Sequence, residues 1–486
     1  MKLGLIRFTL LLFAIYIATN NLQAIKKVRV WYDKPAAALN SDIKNSWKND
    51  NEWLNALPVG NGFLGAMVYG NVNQELIQLN EKTLWSGSPD DNNNPQAAGA
   101  LSQIRNFLFE GKYKEANELT NKTQICKGVG SGAGIGTNVP YGSYQLLGNL
   151  FFDFGKTAPF ENYVRELDLN RGVVTVSYSQ NGVSYKREIF ASYPDRALII
   201  HFTADKKGAL SFTSELTRPE RFETHVENDH LLMTGTLTNG QGGDGMKYAV
   251  RLKATTRGGK LNYKNNEIRV EGADEVIMTL TASTNYKQEY PSFVGDDPRL
   301  TTLNQLSKAA SKPYPTLLKN HTVDYAALFG KVSLNLSDND PDTIPTDRRL
   351  RNQTKNPDDL HLQEVYFQFG RYLLISSSRE GTLPANLQGI WCNKIQAPWN
   401  CDYHSNINVQ MNYWGADIVN LSECFSPLSR LIESLVKPGE VSAAVQYNAS
   451  GWCVQPITNV WGYTSSGEGI NWGLYVAGGG WLCRHL

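Results

Sequence analysis

The chain carries almost no net charge, with 47 Lys and Arg against 46 Asp and Glu leaving +1. There is no basic excess to bind nucleic acid and no strongly charged tail. Long apolar runs are missing beyond residue 24, so nothing after that point reads as a transmembrane helix. Cysteine is sparse. Its six positions, Cys126, Cys392, Cys401, Cys424, Cys453 and Cys483, match neither a zinc pattern nor a compact disulfide scaffold. They read mostly as buried free thiols, with one bridge at most. No internal repeat, metal-ligand cluster or nucleotide motif is found, so no cofactor is expected. The Gly-rich stretch Gly128 to Gly134 looks superficially like a phosphate loop. It follows no predicted strand and lacks the Lys-Ser/Thr pair, so it reads as a flexible loop.

What is present points outward from the cell. Lys2 and Arg7 precede an apolar run from Phe8 to Ala18, and Leu22-Gln23-Ala24 offers a small residue for cleavage. The run is too short to span a bilayer, which predicts a cleaved signal peptide over 1–24 and an exported, periplasmic or extracellular protein. No Cys follows to carry a lipid. The 486 residues are enough for two or three cores, and aromatics are plentiful, with 11 Trp and 23 Tyr. Aromatic rings stack on sugar faces and also fill sandwich cores; composition alone leaves both open.

From Val28 to about Ala282 short strands alternate with Gly and Asn turns. Val173 to Tyr178 runs into Asn181-Gly182 and returns through Val183 to Ile189, a two-residue hairpin whose turn tolerates positive φ. That spacing predicts a large antiparallel β-sandwich over 25–285. One helical interruption is expected from Gln96 to Leu119, with Leu101, Ile104, Leu108 and Tyr113 as its apolar positions. A helical linker is expected over 286–350, with helices at Leu300 to Ser311 and Thr322 to Phe329 and one strand at Val332 to Leu336. An amphipathic helix from Leu362 to Ser378 opens a helical region over 351–486.

The richest segment runs from Leu383-Pro384-Ala385-Asn386-Leu387-Gln388-Gly389-Ile390-Trp391 to Asn412-Tyr413-Trp414. Amides donate and accept at once, which suits vicinal hydroxyls, and Trp offers a stacking face. The same residues can equally brace neighbouring helices. This run resembles the signature of glycoside hydrolase family 95, the inverting α-L-fucosidases with some α-L-galactosidases. So do Trp53 to Met67, Leu79 to Gly87 and Phe369 to Arg379, in family order along the chain.

The resemblance implies a β-sandwich, a helical linker and an (α/α)6 barrel, here its first part. It implies a fucosylated glycan as partner, with no nucleic acid and no membrane span. Asn406 and Asn408 match the amides that hold the attacking water, an unusual arrangement in which a distant Asp polarises them. Spaced two apart, both face one way if the backbone is extended. His404 corresponds to a ligand of sugar hydroxyls, and Glu468 and Trp481 to further fucose contacts. The family's general acid lies in a Ser-Pro-Glu motif and its Asp in Gln-Ile-Asp-Gly-Asn; neither occurs in these 486 residues. About 125 residues follow from Leu362, roughly half or less of what twelve helices of ~11–12 residues plus loops require. The expectation is an incomplete, inactive barrel. A non-catalytic glycan-binding protein and a hydrolase working through Asp402 and Glu468 are the alternatives.

Overall fold

Runs rich in Val, Ile, Tyr and Thr, cut by Asn and Gly, close into two antiparallel sheets because their alternating side chains leave one apolar face each. The computed structural model describes residues 27–155, 158–337, 343–355 and 357–485; the signal peptide expected over 1–24 lies outside them. One sheet has nine strands in the order Arg29–Tyr32, Glu161–Asp168, Val173–Gln180, Val183–Ser192, Ala197–Ala204, Glu275–Thr284, Asp244–Arg257, His230–Thr238 and Glu223–Glu227. The other has seven, in the order Lys260–Lys264, Glu267–Ala273, Leu210–Thr217, Gly148–Asp153, Gln74–Glu81, Leu64–Val68 and Leu57–Gly60. The hairpin turns through Asn181 and Gly182 at φ 53° and 70°, pairing Gln180 with Val183.

Between the sheets lies one core, with Val176, Ile189 and Phe202 meeting Ile77, Phe152 and Phe212. A buried ion pair crosses it. Arg187 of the first sheet meets Glu75 of the second at 2.8 Å, and its guanidinium lies over the Phe154 ring at 4.2 Å. The remaining donors reach the carbonyls of Asn71 and Val72 and the Tyr178 hydroxyl. With every partner satisfied, the pair fixes how the sheets face each other.

The linker helices are Pro298–Ala310 and Tyr314–Phe329, the second starting eight residues earlier than the sequence suggested. They cover the outer face of the nine-stranded sheet, where Ala309 and Leu317 pack on Val173, Phe190 and Ile199. Lys312 and Asn320 both donate to the fully buried Asp195 carboxylate, at 2.6 and 3.1 Å. Then come the helices Thr346–Asn352, Leu360–Ser377, Asn408–Tyr413 and Ser426–Tyr447, joined by long loops.

Two expectations fail. Val332 to Leu336 forms no strand. Its backbone is taken up by helix Leu360–Ser377: the Val332 carbonyl accepts from Gln368 and Arg371, and the N–H groups of Leu336 and Ser337 donate to Glu364. The stretch expected as one helix is two, Ala97–Phe109 and Tyr113–Thr123, broken where Gly111 takes φ 73°. The break ends the periodic stripe, so Ile104 is buried while Leu108 and Tyr113 face out.

The two halves of the chain meet through a polar clasp. Asn80 donates to the Cys392 carbonyl at 2.9 Å and accepts from the Cys392 N–H at 3.0 Å, as one strand edge does to another. Lys82 donates to the carbonyls of Ser377 and Gly389, and the Trp391 indole N–H to Val59. All six cysteines are free thiols.

Where linker and sandwich meet, Glu188 receives Lys186 and Tyr314, each at 3.0 Å. Burial opposes its charge, but the nearby His201 ring and the hydrogen bonds from Lys186 and Tyr314 outweigh it and bring the carboxyl down to about 2. A depressed carboxyl stabilises the fold fully above its ordinary value of 4.5 and loses that contribution as pH falls toward about 2. Glu188→Gln should therefore melt lower than wild type at pH 7, with the gap narrowing across that acid range in paired thermal scans. A gap independent of pH would refute the assignment.

Candidate functional site

A two-residue strand pair builds the site. Tyr403 pairs with Thr458 and His404 with Ile457, which fixes both side chains on opposite faces. Tyr403 turns inward, 1% exposed, and stacks on Trp85 from the sandwich with ring centres 6.2 Å apart. His404 turns the other way, into a cavity of about 310 Å³ shared with Ser131, Gly134, Trp399, Asn406 and Trp472. Larger clefts occur elsewhere, one of about 490 Å³ around Arg221 and Lys247. That cleft also has aromatic and charged walls, Phe222 and Tyr248 beside Glu223 and Lys247, so chemistry rather than size picks this one: two indoles stand over the Asp402–His404 pair.

That pair is Asp402 and His404. Asp402 is 2% exposed, with Oδ1 2.6 Å from His404 Nδ1 and Oδ2 accepting from the Tyr141 hydroxyl at 2.6 Å. The histidine contact is short but bent, so it acts by charge more than as an aligned hydrogen bond. Burial pushes the Asp402 carboxyl up, and His404 and Tyr141 pull it back. Burial pushes His404 down, yet the adjacent carboxylate prevails and holds its proton above the usual range. Tyr141 stays a neutral donor, its pKa raised well above the ordinary value by burial and then by Asp402. With Nδ1 facing Asp402, Nε2 is left to address the cavity, where it suits a sugar hydroxyl or ring oxygen.

Residues 313–486 match the glycosyl hydrolase family 95 catalytic domain, and residues 30–289 match the N-terminal domain of glycosyl hydrolase family 65. The chain belongs to glycoside hydrolase family 95. It is 36% identical over 468 residues to alpha-L-fucosidase 2 of Arabidopsis thaliana, covering 89% of this chain and 54% of that protein. Identity to probable alpha-fucosidase A of Aspergillus niger is 31% over 475 residues, with 93% and 58% coverage. The chain thus spans about half the length of the curated relatives it matches. Among solved structures, "Putative kojibiose phosphorylase from human microbiome" superposes with a TM-score of 0.51 over 90% of this chain and 52% of that one, at 10% identity. That likeness concerns the fold alone.

The structure brings some of the family-like residues together and leaves others apart. His404 and Asn406 share the cavity. Asn408 is the first residue of helix Asn408–Tyr413, and Asn406 lies in the turn before it, so the pair is not on one extended strand. Glu468 reaches the cavity wall from behind: Oε1 accepts from the Ala133 N–H at 3.1 Å, while Oε2 is buried without a partner. Trp481 sits in helix Gly478–Cys483, tilted against Trp414 and Tyr475, and is not among the residues that line the cavity.

Most of the amide-rich run braces the fold. Asn393 donates to Trp47, Asn412 to Ala385 and Asn386, and Asn400 is wholly buried. Asn406 and Asn408 are exposed instead, and of the two Asn406 lines the cavity. Tyr141, Trp472 and the Gly-rich stretch are parts of this candidate site that the sequence alone does not reveal. The stretch lacks the Lys of a phosphate loop, but a run of glycines also permits close backbone approach. Trp399 was in view within the amide-rich run, with nothing to separate it from the buried Trp391.

Replacing Asp402 tests the electrostatics directly. Asp402→Asn should move the His404 titration midpoint downward, followed by NMR of its ring Cε1–H. Tyr141→Phe, which removes a competing partner of the carboxylate, should not lower it. An unchanged midpoint in Asp402→Asn would show that another group sets the His404 charge.

Proposed function

We propose that this family-95 chain binds the terminal α-L-fucose of a glycan, α-1,2-linked, in the cavity over His404, as exo-acting, inverting fucosidases do. The observation that carries this reading is the Asp402–His404 pair at the floor of an aromatic-walled cavity, in a chain related to fucosidases by about a third of its residues. His404 Nε2 serves sugar hydroxyls, and the indole of Trp472 meets an apolar face of the sugar. Asn406, open to the cavity, is assigned to the water, with Asn408 as its partner. Glu468 and Trp481 are assigned to further fucose contacts. The helices from Leu360 onward are read as part of an (α/α)6 barrel, and the basic-then-apolar start as an export signal. L-Galactose, which differs from L-fucose by a 6-hydroxyl, is the competing sugar.

Turnover is a separate matter. An inverting hydrolase needs an acid to protonate the leaving oxygen and a base for water on the opposite face. Asp402 fits neither role: it is sealed beneath His404 and held by Tyr141. Glu468 is engaged with the Ala133 backbone. The Ser-Pro-Glu motif is not in these residues, and general-acid transfer contributes ~10²–10⁴ in rate. This polypeptide on its own is therefore read as binding without hydrolysing.

The test is binding and turnover side by side, with residues 25–486. L-Fucose should bind by calorimetry or saturation-transfer NMR, and His404→Ala should weaken it about tenfold or more, the loss typical of a hydrogen bond from a charged donor. No fucose should be released from 2′-fucosyllactose above background. Absence of L-fucose binding would sink the substrate assignment. Measurable release would sink the claim that no acid is present.

A further inference from the structure

We propose that Trp399 is the platform for the sugar ring next to the terminal one, and that Asn400 and the Gly-rich segment 128–136 position it. This deepens the fucose reading of the same cavity and rests on it. Trp399, Asn400 and Cys401 have φ of 47°, 57° and 52°, three successive non-glycine residues in the left-handed region. Each such residue costs about 1–2 kcal/mol, and strain of this kind persists only where the surroundings over-determine it. Here the strained turn begins with a Trp 67% exposed on the cavity rim, most of whose apolar surface finds no protein cover. Two costs fall on one residue, and a ligand that stacks on the ring answers the second.

What holds the turn is Asn400, 0% exposed. Its Oδ1 accepts from the Gly136 N–H at 2.6 Å and from Gln396 Nε2 at 3.0 Å, and its Nδ2 donates to the Ser131 carbonyl at 2.9 Å. Its own carbonyl accepts from the Tyr144 N–H at 2.9 Å. The side chain thus staples the turn to a loop inserted between strands of the sandwich. Glycine is needed at the staple: a Cβ on Gly136 would lie 2.6 Å from the Gly142 carbonyl oxygen and 2.9 Å from Asn400 Nδ2. From the other side Glu468 accepts from Ala133, so the segment is pinned at two points and Gly134 passes beside the Trp399 backbone.

The chemistry defines the occupant. An exposed indole face beside the His404 cavity selects a pyranose whose C–H bonds gather on one side, joined to the terminal sugar that His404 holds. The platform gives selectivity for the sugar beyond the terminal residue and does not touch the reacting bond.

Two arms test this. The first needs no sugar: Asn400→Ala frees the segment, so trypsin should cut after the exposed Lys127 about tenfold faster, in keeping with the loss of a few buried hydrogen bonds. Trp399→Ala should leave that rate unchanged. The second compares L-fucose with 2′-fucosyllactose. Trp399→Ala should weaken the trisaccharide about fivefold to tenfold while moving L-fucose by less than twofold, and Trp399→Phe should recover part of the difference. Equal loss for both ligands, or none for either, overturns the platform while the fucose reading stands. A wild-type protein that binds neither ligand overturns both. Unchanged cleavage in Asn400→Ala overturns the positioning role.

Discussion

The site depends on keeping one carboxylate out of water. An isolated buried charge costs several kcal/mol even after relaxation, and Asp402 tolerates its burial only because partners arrive from two directions. Tyr141 comes from the loop that follows the Gly-rich segment of the sandwich; His404 comes from the strand pair of the helical half. Neither half offers the carboxylate a complete environment. Docking the halves assembles it, and the imidazole of His404 that it holds is what the cavity presents to a ligand. A sugar is neutral and well solvated, so a protein that binds one gains most from donors already aimed and already charged.

The same dependence explains the seam. Asn80 treats the Cys392 backbone as an adjacent strand would, and Lys82 fills the carbonyls left open at Ser377 and Gly389. Removing either side leaves buried polar groups that cost about 1–3 kcal/mol each. Trp85, wholly buried beside these residues, lies under Tyr403 and so under His404 one residue on. Conserving orientation across the seam is thus inseparable from aiming the histidine. Much of what looks like family signature in the sandwich, from Leu79 to Gly87, serves this docking and never reaches the cavity.

Legibility in the sequence followed the range of the forces involved. Strand alternation and the Asn181-Gly182 turn are local, and both sheets were readable from them. The segment Val332 to Leu336 alternates like a strand, but side chains of helix Leu360–Ser377 claim its backbone groups, and nothing local signals that. A single positive φ at Gly111 was enough to cut one predicted helix into two, and Leu108 and Tyr113 on either side of it face solvent. At the site, His404 and Asn406 were found by resemblance, whereas Tyr141 was not, because 261 positions separate it from the carboxylate it bonds. The amide-rich run was ambiguous for a physical reason: an Asn bracing a loop and an Asn facing a ligand have the same chemistry and differ only in which partners surround them.

Strain marks the one place where local preference and fold disagree most sharply. A turn of three left-handed residues is something the chain avoids, and a glycine at any of the three would relieve it. Instead the positions carry Trp, Asn and Cys, each with a use: an exposed indole, a buried staple, and a thiol that packs inward beside Asn386. Local cost accepted for several distinct side chains argues for a demand on the folded state that stability alone does not impose. Since the staple fastens to the sandwich loop, the geometry of the cavity rim is inherited from the docking of the two halves. Seam, carboxylate and rim therefore form one mechanical unit, in which a disturbance at Asn80 and a disturbance at Asn400 reach the same histidine by different routes.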